Sequence, residues 1–302
     1  MRRLAAALAC GLWLLVGAAP ADGWGLDVHR FVTARALDGL PPVLKPFFAE
    51  QRDFISEHAA DPDLWRIAGL RSAFGDEDPN HFFDIDDLGE SAPFAHVPRT
   101  RQALIARVGA PRADKIGRLP WRAEEMFDRL VASFAVIGTP NGPLYGPENA
   151  RYLAAVLSHY VEDANQPLHA TANFDGQLTN QRGVHARYET TLAVRNLTAL
   201  RLGPVTVQPV EDVGAFMFDT IVRSQSRVAF VLKADRDASA SHRSYDEAYY
   251  ASFFAHARPL LEQQLSDASD GVASLIVRAW RQAGRPVLPL RASMHPPART
   301  GR

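Results

Sequence analysis

Apolar residues recur at three- and four-residue spacing through seven stretches of this chain: 28–37, 43–55, 122–137, 148–163, 213–230, 245–265 and 268–283. A helix turns one face inward about every 3.6 residues, so this period predicts an all-α fold. Pro41-Pro42, Pro120, the run from Gly138 to Pro143 and Gly203-Pro204 interrupt the pattern and mark its connections. Ser266 and Asp267 read as N-cap residues of a last helix over 268–283. The best strand signal is the short run from Val205 to Gln208. No fixed-period repeat interrupts the series. The pattern predicts a single helical domain over 24–284, then a frayed tail over 285–302 rich in Pro and Arg.

The first 23 residues stand apart from that body. Arg2 and Arg3 precede an apolar run over 4–19, and Ala21-Asp22-Gly23 places small residues at a cleavage site. This is the pattern of a secretory signal peptide over 1–23. The apolar run is shorter than the roughly 20 residues that a membrane span needs. No later stretch is long and apolar enough to cross a bilayer, so the expected destination is secreted or periplasmic. Cleavage removes two Arg and one Asp, taking the formal net charge from −1 to −2. It also removes Cys10, the only cysteine, so disulfides and thiolate metal sites are excluded from the mature chain. With 47% hydrophobic and 22% charged residues over 302 positions, the chain has ordinary globular composition and can bury a full core. Its near-zero charge excludes a broad basic surface for duplex nucleic acid.

Half of the ten histidines fall into an ordered set with carboxylates. His159 and Asp163 lie four apart on a predicted helix and leave it on one face. Pro167 ends that helix, which lets His169 turn back toward the same face. His185 and Glu189 repeat the four-residue spacing, while Asp61 and His81 form an earlier cluster. One such pair is an ordinary helix-supporting contact. Two pairs and a Pro-Leu-His turn, in a chain without thiols, point to a metal site. Imidazole and carboxylate are the ligands that zinc accepts when no thiolate is offered.

The block from His159 to Glu189 resembles the secreted bacterial zinc-dependent phospholipase C family, which is similar in turn to the single-strand-specific zinc nucleases. The shared pattern is His-x3-Asp-x5-His followed by His-x3-Glu or His-x3-Asp. Trp24-Gly-Leu-Asp-Val-His29, Asp61 and His81 match its earlier pieces, so the resemblance runs in order through about 24–195. It implies three clustered zinc ions in an all-helical fold. Asp61, His81, His159 and Asp163 are the implied ligands of one ion, and His169, His185 and Glu189 those of a second. Trp24 and His29 would hold the third, bridged to the first by Asp163. A free α-amine on Trp24 and its own carbonyl form a five-membered chelate ring, and that amine exists only if cleavage follows Gly23.

Clustered metals polarise phosphoryl oxygens and lower the pKa of a bound water from 15.7 toward about 7, which implies hydrolysis of a phosphate ester. Asp61 is the candidate to orient or deprotonate the water, with Asp63 a second candidate. No Gly-x-Ser-x-Gly elbow offers a serine nucleophile. Two substrate classes stay open. Glu189 at the end of the pattern, where the nucleases more typically carry Asp, favours phospholipase C-like cleavage of a phospholipid or another phosphodiester. The short Trp24 to His29 spacing, and Phe82 beside His81 as a stacking face, favour a single-stranded nucleic acid or nucleotide. A non-enzymatic, exported metal-binding helical protein is the third reading.

Overall fold

The structure is a computed structural model that describes residues 24–290 except 68, 69, 71, 72, 74, 141 and 243. The signal peptide expected over 1–23 and the tail beyond 290 lie outside the described residues. Six helices carry the architecture: α1 Leu26–Asp38, α2 Arg52–His58, α3 Leu119–Ala135, α4 Gly146–Ala164, α5 Val213–Ser241 and α6 Glu247–Gln282. Shorter helical turns link them. Among the described residues there is no strand, only an isolated antiparallel bridge between Phe83 and Gly117. The fold is all-α.

α4 is the central element. Every residue from Ala154 to Ala164 is buried, so it has no solvent face over its C-terminal half. A helix buried all round must be apolar or must satisfy its polar side chains internally. α3, α6, α1, α5 and α2 surround it. α3 meets α4 through Ala123, Met126, Phe127, Leu130 and Phe134, the three- and four-residue spacing expected of its inner face. Asp212 and Asp246 cap α5 and α6, accepting hydrogen bonds from Ala215 N and Tyr249 N at 2.8 and 3.0 Å.

Three local expectations are corrected. The helices expected over 245–265 and 268–283 form one continuous α6, with Ser266 and Asp267 inside it. Asp267 caps nothing: it accepts from Arg227 at 2.9 Å and from Gln263 at 2.6 Å. Burial of Leu261, Leu265, Ala268 and Val272 along one inner face outweighs the capping preference of an isolated Asp. The run from Val205 to Gln208 has no regular secondary structure and pairs with no strand. Its amides go to side chains of α6 instead, Thr206 N to Asp270 and Gln208 N to Ser274, each at 2.8 Å. The helix expected over 43–55 is broken into Lys45–Ala49 and α2.

No helix among the described residues is long and apolar enough to cross a membrane.

Candidate metal centre

The last two turns of α4 place Ser158, His159, Glu162 and Asp163 together in the interior, each fully buried. Asn165 closes the helix by donating to the Val161 carbonyl at 2.8 Å. Gln166 then turns the chain, its side-chain oxygen accepting from Leu168 N at 2.6 Å and capping the short turn Pro167–Ala170. That turn swings His169 back to the α4 face, and the His169 carbonyl accepts from Phe83 N at 2.8 Å. Phe83 is held against Gly117, where a Cβ would lie 2.0 Å from the Phe82 carbonyl oxygen; with φ at +111°, only glycine fits there. The segment carrying His81 and Phe82 is thereby fixed beside the α4 terminus.

Three groups of ligand atoms result: His29, Asp63 and His159; His81, His159 and Asp163; His169, His185 and Glu189. Within each group the atoms lie within 4.8 Å of one another, and every member is buried. Asp163 joins them. Its Oδ2 lies 3.0 Å from His81 Nδ1 and 3.1 Å from His159 Nε2. Its Oδ1 lies 3.7 Å from His29 Nε2 and 3.4 Å from His169 Nδ1. In the third group, His185 Nε2 is 2.8 Å from Glu189 Oε2 and 3.1 Å from His169 Nε2.

The outer nitrogens of two rings are tied down. His159 Nδ1 donates to the Ala59 carbonyl at 2.8 Å, so in the neutral ring Nε2 is the nitrogen with a lone pair for the cluster. His29 Nδ1 sits 2.5 Å from Glu162 Oε2, while Thr33 donates to the other Glu162 oxygen at 2.8 Å. A histidine backed by a carboxylate on its far nitrogen is the arrangement that orients metal-ligating imidazoles. Gln166 does the same for Glu189, donating to it at 2.7 Å.

The donor set fits metal ions. His29 Nε2, Asp163 Oδ1 and His169 Nδ1 are buried with no hydrogen-bond partner, and each faces the cluster. Such atoms cost free energy unless a cation meets them. Neutral imidazole and carboxylate without thiolate match zinc. The titration behaviour is that of a crowded, buried cluster. Burial pushes His29 well below its ordinary range, and His159 adds to the shift. Burial likewise takes His81 down to about 3. Burial also opposes the charged form of His169, but Asp163 and Glu189 outweigh it and raise that ring to about 8. Asp163 is held well below its ordinary range, because His159 and His169 overcome the burial penalty.

Of the residues expected from sequence, His29, His81, His159, Asp163, His169, His185 and Glu189 all converge here. Asp61 does not. It opens the short turn Asp61–Trp65, and its carboxylate accepts from His58 at 2.8 Å and Tyr152 at 3.1 Å. Asp63, two residues on, leaves the opposite side of that turn and enters the cluster, 3.6 Å from His81 Nδ1. Trp24 is buried beside α4, its indole donating to the Glu162 carbonyl at 2.9 Å. Glu162 was not legible in sequence, since its role depends on α1 and α4 packing.

The centre borders a cavity of about 330 Å³ whose walls include His81, His169, His185, Arg66, Phe82 and Lys115. Phe83 is core, while Phe82 lies on the wall with the half-exposed Phe174. Arg66 is anchored by Asp78 at 3.0 Å and Asp63 at 3.2 Å. Asp84, also on the wall, is pushed well above the usual carboxylate range by burial and by Asp86 and Asp87. A larger hollow of about 940 Å³ along residues 49–54 carries no histidine.

No protein-family profile matches the chain, and no curated protein matches it. Among solved structures, one match is the alpha-toxin of Clostridium perfringens from avian strain SWCP. It has 13% identity and a TM-score of 0.45 over 88% of this chain. The chain spans 65% of that protein's length.

Proposed function

We propose that this chain is an exported zinc-dependent phosphoesterase that hydrolyses a phosphodiester in the manner of a phospholipase C. One observation carries the reading: three buried His and carboxylate groups joined through a single aspartate, Asp163. When bound, zinc supplies Lewis acidity toward phosphoryl oxygens and lowers the pKa of water toward about 7. His81, His159 and Asp163, with Asp63 in place of Asp61, would hold one ion. His169, His185 and Glu189 would hold a second. His29 and the α-amine of Trp24 would share a third with Asp163, and the indole bond to Glu162 keeps Trp24 beside α4. Asp63 takes over the water-orienting role assigned to Asp61, because its carboxylate faces the cluster. Arg66 and Lys115 present positive charge to a phosphate entering the cavity.

A second reading, a nuclease or nucleotidase on the same centre, draws on the cavity wall. Phe82 and Phe174 offer flat faces on which a base can stack, worth about 1–3 kcal/mol per base. Buried Asp84 lies on the same wall and can hydrogen-bond a base edge.

The test is a zinc count on protein beginning at Trp24, with cleavage assays on a phospholipid panel and on single-stranded DNA and RNA. About three zinc per chain, with cleavage lost to chelator and restored by zinc, is the expected result. Lipid cleavage alone selects the first reading and strand cleavage alone the second. Zinc without cleavage of either leaves a metal-binding helical protein. A count near zero overturns all three.

A further inference from the structure

We propose that Asp235, on α5 and outside every ligand group, is a positioning residue for the His169, His185 and Glu189 group, acting through Arg187. This inference rests on the zinc reading above.

His185, Arg187 and Glu189 follow one another at two-residue steps along a single wide turn, Val184–Ala186 running into the π-helical Arg187–Leu192. Residues four apart share a face, and the residue between them lies opposite. His185 and Glu189 meet each other and His169 on the metal side. Arg187 leaves the far side and enters the space between α5 and α6.

All three of its nitrogens donate there. Arg187 Nε donates to Asp235 Oδ1 and to the Tyr249 hydroxyl, each at 3.1 Å. Its Nη2 donates to Asp235 Oδ1 at 3.0 Å and to the Gln181 carbonyl at 3.1 Å. Its Nη1 donates to the Arg182 carbonyl at 2.8 Å. The guanidinium also lies over the Tyr245 ring, 4.0 Å from its centre. Asp235 collects the other side of the network, accepting from the Tyr249 hydroxyl and, at 2.7 Å, from Gln181. Both members of the pair are buried.

The two carbonyls that Arg187 grips immediately precede Gly183, where the ligand turn begins. Gly183 has φ at +84°, and a Cβ there would come 2.9 Å from Arg187 Nη1. The guanidinium thus fixes both the entry of the turn and its rotation. Four-residue spacing alone lets His185 and Glu189 share a face; it does not aim that face at His169. α5 and α6 contribute no residue to any ligand group, yet through Asp235 and Tyr249 they set that aim.

Mere packing and positioning predict different outcomes. Asp235→Asn leaves Arg187 charged, buried and without its counter-ion. A paired variant, Arg187→Met with Asp235→Leu, replaces the ion pair with apolar side chains, a change that buried pairs often tolerate without loss of stability. The measurements are zinc affinity by competition with a chromophoric chelator, and thermal unfolding, on the chain from Trp24 onward. Asp235→Asn should weaken one zinc by about 10- to 100-fold, the usual cost of losing an outer orienting partner, and leave the others unchanged. The paired variant should recover the melting temperature but not that affinity. If affinity returns together with the melting temperature, or if neither variant weakens zinc, the proposal is overturned. If Asp235→Asn does not fold, the paired variant decides on the same criteria. An unsubstituted chain that binds no zinc overturns the zinc reading itself, whereas every other outcome bears on Asp235 alone.

Discussion

Asp61 and Asp63 differ by two positions and end in unlike surroundings, which makes them the sharpest test at the scale of single residues. Asp61 is satisfied by His58 and Tyr152, whereas Asp63 is buried against His29 and His81. Asp63→Ala should therefore lower the zinc count and cut activity by more than the roughly 10–100-fold expected for an outer-shell loss. Asp61→Ala should leave the count unchanged. A metal count on both variants checks the pair, and the reverse result would restore Asp61 to the site. Glu162→Gln belongs beside them, because the Glu162 carboxylate hydrogen-bonds to His29 and Thr33 and not to the cluster itself. It should weaken zinc by about 10–100-fold without changing the number of sites, as a chelator titration would show. His159 and His185 were legible in the sequence from their helical spacing to Asp163 and Glu189, and His169 from the Pro167 turn, in a chain without a competing thiol, whereas His29 came only with the family resemblance. The choice between Asp61 and Asp63 was not, since it turns on which side of a five-residue turn faces inward.

Whole elements were legible where burial and local propensity agree. α1, α3 and α4 match their sequence periods to within a few residues, since their inner faces are apolar at helical spacing. The limits of α5 and α6 were set by tertiary contacts instead. α6 runs through the expected cap at Ser266 and Asp267 because its inner face at Leu261, Leu265, Ala268 and Val272 is buried without a break, which leaves Asp267 to pair with Arg227 of α5. The run from Val205 to Gln208 forms no sheet because α6 provides acceptors for its amides at Asp270 and Ser274. This pairing makes a prediction at the same scale. Ser274→Ala removes the acceptor of Gln208 N in a partly buried setting, which should cost about 1–3 kcal/mol. Chemical denaturation would measure that loss, and the zinc content should not move, since Ser274 lies outside every ligand group. A variant that loses zinc would tie the run from Val205 to Gln208 to the centre.

Across the whole molecule, the described apolar interior divides into two clusters. One contains the apolar residues of α3 and α4, and the other joins Trp24, Val28 and Tyr188 to α5 and α6. The polar end of α4 lies where Trp24 and Glu162 meet, so an ion held by His159 and Asp163 would join α4 to the elements that carry the other ligands. Each zinc that binds only the folded chain adds about 2.7 kcal/mol at a free concentration 100-fold above its Kd. Chelation should therefore lower the melting temperature, and added zinc should raise it in proportion to occupancy. The same coupling reaches the start of the chain. An α-amine has a lone pair to give once its proton leaves, at a pKa of about 7.7–8, whereas an amide nitrogen has none to offer. Trp24 carries an amine only when nothing precedes it. Protein that begins at Trp24 should hold about three zinc, while protein that keeps Gly23 should hold about two, with the His169, His185 and Glu189 group still loaded. Both forms share every side chain, so a difference in count would isolate the amine. Equal counts would remove Trp24 from the ligand set and leave it its apolar packing and its indole bond to Glu162.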